Sequence, residues 1–136
     1  GDLIPRAVEE MLRWGSPIAS FMRTATRDTE LRGTPIREGD RLLMLYVSAN
    51  RDETVFEQPD VFDVGRAPNP HVSFGGGGPH FCLGASLARL EIPVLLEEML
   101  SRFDRIERVG EPERLRSNFL NGVKHLPVTF TPTGKR

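Results

Sequence analysis

Several features are scarce or absent in this 136-residue sequence, and each absence excludes a class of protein. The chain has one cysteine, Cys82, so it cannot form a disulfide within itself. Its 18 basic and 19 acidic residues give a formal net charge of −1, which argues against nucleic acid as the main partner. No apolar run approaches the length of a membrane span, and no charged and apolar leader of the secretory type is visible. We therefore expect a cytoplasmic protein without a membrane span.

Glycine, by contrast, is concentrated just before the single cysteine. Four consecutive glycines at 75–78 precede Cys82, and residues 83–103 follow with apolar side chains at helical spacing. Cys82 thus stands near the start of a predicted helix, where free backbone N–H groups and the helix dipole favour an anionic sulfur. Glycines let the backbone lie against a large planar group. A thiolate beside such a loop suggests a haem.

Other interpretations of this segment explain less of it. A buried structural cysteine has no need of four preceding glycines or of a helix start. A structural zinc site shared by Cys82 and His80 needs four ligands, and only His71 and His125 remain as further histidines. A phosphate cradle is disfavoured because the loop lacks both the Gly-Lys-Ser/Thr ending and the dinucleotide-binding glycine pattern.

The loop from Phe74 to Gly84 resembles the cysteine-ligand loop of the cytochromes P-450, the haem-thiolate monooxygenases. His80, Cys82 and Gly84 match the family's order of basic residue, spacer, cysteine, spacer and glycine. One departure is that Gly75 stands where the family has an aromatic residue, and Phe74 lies one position further out. The resemblance implies Cys82 as catalytic residue and ligand of the iron of haem b, with His80 at a haem propionate. The residues implied at the cofactor are Arg23, Phe74, Gly75, Gly76, Gly77, Gly78, His80, Cys82 and Gly84.

A second motif agrees with this resemblance. Glu10 and Arg13 lie one turn apart in a predicted helix over residues 5–14 and are similar to the family's Glu-x-x-Arg pair. The resemblance implies that Arg66 or His71 completes a triad with them. Taken alone, such a pair is equally typical of an exposed helix surface, where it contributes about 0 to 1 kcal/mol.

The order of elements predicts a mixed α+β structure. Turn residues at 31–36 and 37–40 indicate short β-hairpins before an apolar strand at 42–45, and proline-rich residues 49–71 indicate a long irregular connection. After the second helix we expect strands near 105–109 and 126–130, with a turn at Asn121-Gly122. The resemblance covers nearly all of the chain. It implies that residues 1–136 form the C-terminal, haem-cysteine portion of the fold, without the N-terminal portion and the distal oxygen-activating helix.

The function implied is hydroxylation of a hydrophobic small molecule, a sterol or a branched lipid, by O2 and two electrons. The donor implied is of the ferredoxin and ferredoxin reductase type, docking on a basic face with Arg89 and Arg102. Substrate contacts are expected at Ile18, Phe21, Leu120 and Val123. Two alternatives stay open: a haem-free, inactive folded fragment, and a small haem-binding or redox-sensing module. We expect the isolated chain to be inactive and to self-associate through its exposed apolar surface.

Overall fold

The computed structural model of the chain describes residues 3–134, so the predicted unit of residues 1–136 extends beyond them at both ends. The observed mixture of helices and short strands confirms the predicted fold class. In chain order the elements are α1 (Leu3–Gly15), β1 (Ser20–Thr24), β2 (Thr29–Leu31), β3 (Thr34–Ile36), β4 (Arg41–Leu45), α2 (Tyr46–Ala49), α3 (Ala85–Arg102), β5 (Phe103–Arg108), β6 (Glu113–Arg114), β7 (Val123–His125) and β8 (Val128–Pro132).

The first four strands form two nested antiparallel pairs. β1 pairs with β4, and the β2–β3 hairpin lies between them in the chain. The hairpin turns at Arg32 and Gly33, whose φ angles of 47° and 78° are both positive. Two positive φ angles in a two-residue loop match the twist of a hairpin, which explains why the turn was predictable from sequence.

The last four strands repeat the nesting. β5 pairs with β8, and the shorter β6 pairs with β7 inside that connection. The turn predicted at Asn121-Gly122 does not form as a two-residue hairpin loop; both residues instead end a longer connection over residues 115–122. Leu120 in that connection forms an isolated bridge with Ile18, so the C-terminal strands contact the segment that follows α1.

The connection over residues 50–84 is irregular and wraps around α1, and it includes all but the first residue of the segment 49–71 that was predicted to be irregular. Val8 and Leu12, one turn apart on α1, are buried together with Phe56 of the connection and Ala85 at the start of α3. The same interior contains four buried polar residues, which are Glu10, Arg13, Ser16 and Asn50. The centre of the structure is therefore a polar network with a small apolar core, and this network holds the connection that ends in the cysteine loop.

The face of α3 away from α1 is apolar and exposed. Leu87, Leu90 and Val94 lie on it at steps of three and four residues, and Leu95 and Leu100 lie on other sides of the helix; each of these five residues is more than half exposed. None of the helices between residues 3 and 134 is both long and apolar enough to cross a membrane.

Candidate functional site

Cys82 closes a tight backbone loop. Its backbone N–H donates to the carbonyl oxygen of Phe74 at 2.9 Å, and the N–H of Gly75 donates to Val72 at 2.8 Å. Cys82 is an exposed free thiol, and its own carbonyl accepts a bond from the N–H of Ala85, the first residue of α3. The side chain is thus presented just before the helix N-terminus, as predicted, by a loop whose two ends are hydrogen-bonded to each other.

The four glycines give this loop its shape. Gly75, Gly77 and Gly78 have φ angles of 90°, 95° and 76°, in the left-handed region that residues with a side chain rarely adopt. A Cβ placed on Gly76, Gly77 or Gly78 would have no heavy atom within 4 Å. The loop therefore presents bare backbone toward open space.

A cavity of about 450 Å³ lies beside the loop and brings together residues distant in sequence. Arg23 of β1 and His80 of the loop both line it, together with Gly75, Gly76 and Gly77. The guanidinium of Arg23 donates to the carbonyl of Met22 and is otherwise exposed. The structure thus places both residues predicted at the propionates, Arg23 and His80, at one cavity; Cys82 lies outside its lining.

The Glu-x-x-Arg pair is fully buried, which contradicts the exposed-surface alternative. Arg13 Nε and Nη2 donate to the two carboxylate oxygens of Glu10 at 2.7 and 2.8 Å, and both side chains are 0% exposed. Arg66 Nε also reaches Glu10, at 3.1 Å. Burial opposes ionisation of Glu10, but bonds from Arg13, from the backbone of Asp63 and from Arg66 outweigh it and lower its pKa from 4.5 to about 2.

Of the two candidates for the third member of the triad, the structure brings Arg66 to Glu10. His71 lies elsewhere, with Nε2 at 2.9 Å from the neighbouring carboxylate of Glu9. Arg89 also pairs with Glu9, and Arg102 pairs with Glu98. Both arginines expected on the basic docking face are therefore paired with a glutamate.

Sequence reasoning missed Asn50, which is 0% exposed and joins three segments. Its Nδ2 donates to the hydroxyls of Ser16 and Ser73, and its Oδ1 accepts the N–H of Val72. Its carbonyl accepts from Arg13, so it connects the buried ion network to the segment that opens the cysteine loop. A single asparagine in a polar stretch gives no sequence signal of such a position.

The two segments predicted to contact substrate lie together. Ile18 bridges Leu120, the N–H of Ala19 donates to Phe119 at 2.8 Å, and the rings of Phe21 and Phe119 are 5.3 Å apart. Val123, the fourth predicted contact, begins β7 and is half exposed, as Phe21 and Leu120 are.

The structure does not support the alternative of a structural zinc site at Cys82 and His80. Within residues 3–134, no three side chains among His, Cys, Asp and Glu are grouped so that they could hold a metal ion.

Comparison with known proteins decides the family. The sequence model described as Cytochrome P450 matches residues 2–130. The chain belongs to the cytochrome P450 family. Its relatives include the methyl-branched lipid omega-hydroxylase of Mycobacterium tuberculosis, 52% identical over 95% of this chain and 30% of the relative. The steroid C26-monooxygenase of Mycolicibacterium smegmatis is 47% identical over the same shares of the two chains.

Solved cytochromes P450 confirm the fold. A cytochrome P450 of Mycobacterium marinum, solved in complex with pseudoionone, superposes with a TM-score of 0.90 at 45% identity. The match covers 94% of this chain and 31% of that one. The chain thus spans about a third of the length of the P450 proteins that it matches, and it has the fold of one part of a cytochrome P450.

Proposed function

We propose that this chain is the C-terminal, haem-cysteine portion of a longer P450 monooxygenase and that Cys82 is the thiolate ligand of the haem iron. The observation that carries the proposal is the cysteine loop. It presents the single thiol of the chain at the edge of a glycine surface, beside a cavity lined by Arg23 and His80. The match covers about 30% of the length of a relative, which supports the proposal that the chain is one portion of a longer protein.

The residues present fit a haem. A soft anionic sulfur suits iron, and bare backbone at Gly76, Gly77 and Gly78 leaves room for a flat ring. The guanidinium cation of Arg23 and a ring N–H donated by His80 suit the two propionates of a haem. When bound, haem supplies oxygen activation, which a thiolate ligand promotes by donating electron density. The chain's own work is to hold the thiolate, to bind the propionates and to supply part of the substrate surface.

The substrate we propose is a hydrophobic small molecule, a sterol or a branched lipid. Relatives that carry this chain's sequence at about 50% identity are named for methyl-branched lipids and for steroids. The apolar, half-exposed side chains of Phe21, Leu120 and Val123 are suited to such a molecule. We expect a ferredoxin-type electron donor and a cytoplasmic enzyme, the latter because the single cysteine of this sequence allows no disulfide within it.

Residues 1–136 alone should not turn over substrate. Apolar side chains of α3 are exposed from Leu87 to Leu100, and exposed apolar surface promotes association. We therefore expect the isolated chain to self-associate and to bind haem weakly. Turnover by the purified 136-residue chain, given haem and an electron donor, would show that the unit is complete.

Replacing the ligand tests the proposal. In the complete protein, Cys82→Ser should lose the thiolate-type absorption band of the ferrous carbon monoxide complex, since an alcohol stays protonated where a thiol ionises. A matched control relocates the thiol by one helical turn, in Cys82→Ser combined with Ser86→Cys, and should not restore the band. A thiolate-type band that persists in Cys82→Ser would refute the assignment.

A further inference from the structure

Glu9 lies beside the buried Glu10 on α1, but it serves different partners. One oxygen of its carboxylate accepts from Arg89 Nε at 2.7 Å, and the other accepts from Arg89 Nη2 at 2.8 Å and contacts His71 Nε2 at 2.9 Å. His71 precedes the cysteine loop, and Arg89 follows it on α3. One carboxylate therefore ties both flanks of the loop to α1.

His71 is fixed at both of its ring nitrogens. Its side chain is 2% exposed, and Nδ1 accepts the backbone N–H of Ser73 at 3.2 Å, so the proton resides on Nε2 and is donated to Glu9. Burial lowers the pKa of His71 against the opposing effect of Glu9, which keeps the ring neutral. The ring thereby orients the backbone at Ser73, immediately before Phe74.

Arg89, on α3 after the cysteine loop, contacts Phe74 at the start of the loop. Its guanidinium carbon lies 4.7 Å from the centroid of the Phe74 ring, in cation–π geometry, while its two donors hold Glu9. The carbonyl of Phe74 in turn accepts the backbone N–H of Cys82. Direct contacts thus run from Glu9 through Arg89 and Phe74 to the residue that bears the thiol.

We propose that Glu9 is a positioning residue for the Cys82 thiolate, acting through His71 on one flank of the loop and through Arg89 and Phe74 on the other. The inference rests on the proposed role of Cys82 as haem ligand. Asn50 also holds the first flank, through Val72 and Ser73. The contribution that belongs to Glu9 is consequently the coupling of that flank to α3.

Hydrogen exchange in the cofactor-free complete protein tests the coupling without any haem. In Glu9→Gln the backbone N–H groups of Gly75 and Cys82 should exchange about tenfold faster, which corresponds to ~1.4 kcal/mol of easier local opening. The matched control is Glu98→Gln, which removes a carboxylate that also accepts two bonds from one arginine, in the exposed pair with Arg102 on α3, and it should leave the loop unchanged.

A second variant keeps the test decisive if Glu9→Gln folds poorly. Arg89→Gln removes a partner that is 41% exposed, and it should accelerate exchange at Cys82 to the same extent. The effects of Glu9→Gln and Arg89→Gln should be less than additive in the double variant, because both single variants remove the pair between Glu9 and Arg89. Loop exchange equal to that of Glu98→Gln in both single variants would overturn the proposal.

The ferrous carbon monoxide spectrum of the haem-loaded protein reports on the thiolate itself, and it would not change if Glu9 only stabilised the fold. In Glu9→Gln the ferrous carbon monoxide spectrum should shift in part from the thiolate type to the neutral-thiol type, and the shift should grow as pH falls. A thiolate band as intense and as acid-resistant as in the wild type would also overturn the positioning role. Failure of the ligand assignment is distinguishable, because it shows in Cys82→Ser and leaves the exchange data unchanged.

Discussion

Arg13 is the residue whose replacement tests the buried network most sharply. Its guanidinium has five N–H donors, and all five are used. Nε and one N–H of Nη2 bind Glu10, the two N–H groups of Nη1 bind the carbonyls of Asn50 and Pro59, and the second N–H of Nη2 binds the carbonyl of Val61. Arg13→Lys keeps the charge but offers three donors, so at least two of these five bonds are lost. The carbonyl of Val61 and the oxygens of Glu10 still accept from Arg66, so the carbonyls of Asn50 and Pro59 are the acceptors most affected.

The expected magnitude follows from this count. A buried acceptor left without a partner costs about 1–3 kcal/mol, and the point charge of lysine cannot reproduce the paired bonds to Glu10. We therefore expect Arg13→Lys to lower the free energy of unfolding by about 2–4 kcal/mol, less than the roughly 3–5 kcal/mol found when one charge of a buried ion pair is removed. This is a large fraction of the roughly 5–15 kcal/mol that holds a domain folded.

Denaturant unfolding of the complete protein measures the effect, with the cofactor-free and haem-loaded forms compared side by side. The matched control is Arg102→Lys, whose side chain is 70% exposed and pairs with Glu98, and it should change stability by less than about 0.5 kcal/mol. If Arg13→Lys unfolds at the same denaturant concentration as Arg102→Lys, the reasoning from donor count is wrong.

Three further outcomes are expected. Because the pKa of Glu10 falls from 4.5 to about 2 on folding, its contribution to the free energy of unfolding is present above pH 4.5 and is lost as the pH falls toward 2. Glu10→Gln should therefore weaken the dependence of stability on pH in this acid range, and an unchanged dependence would contradict this. Gly77→Ala, at a φ of 95°, should cost about 1–2 kcal/mol of backbone strain in thermal unfolding, whereas Gly76→Ala should be near neutral, and equal costs would count against the strain argument. Asn50→Ala should destabilise the protein by about 2–4 kcal/mol, since it strips partners from buried groups, and a loss below 1 kcal/mol would show that water replaces them.

Turns, helices and irregular segments could be predicted from the sequence. The turn at Arg32-Gly33, the helix after Cys82 and the irregular connection before it were predictable because glycine, proline and apolar spacing act over a few residues. The cysteine loop could be identified for the same reason. Its glycines are needed at positive φ within the loop itself, at Gly75, Gly77 and Gly78.

Pairings between distant residues were decided by the tertiary structure alone. Sequence could not choose between Arg66 and His71 as partner of Glu10, because the choice depends on how residues 50–84 wrap around α1. The turn at Asn121-Gly122 was assigned by its local preference. Its asparagine instead donates to the carbonyls of Gly15, the last residue of α1, and Pro17, since the last carbonyls of a helix have no partner within the helix. Composition and spacing specify the elements, whereas burial in the folded chain determines which polar groups must meet.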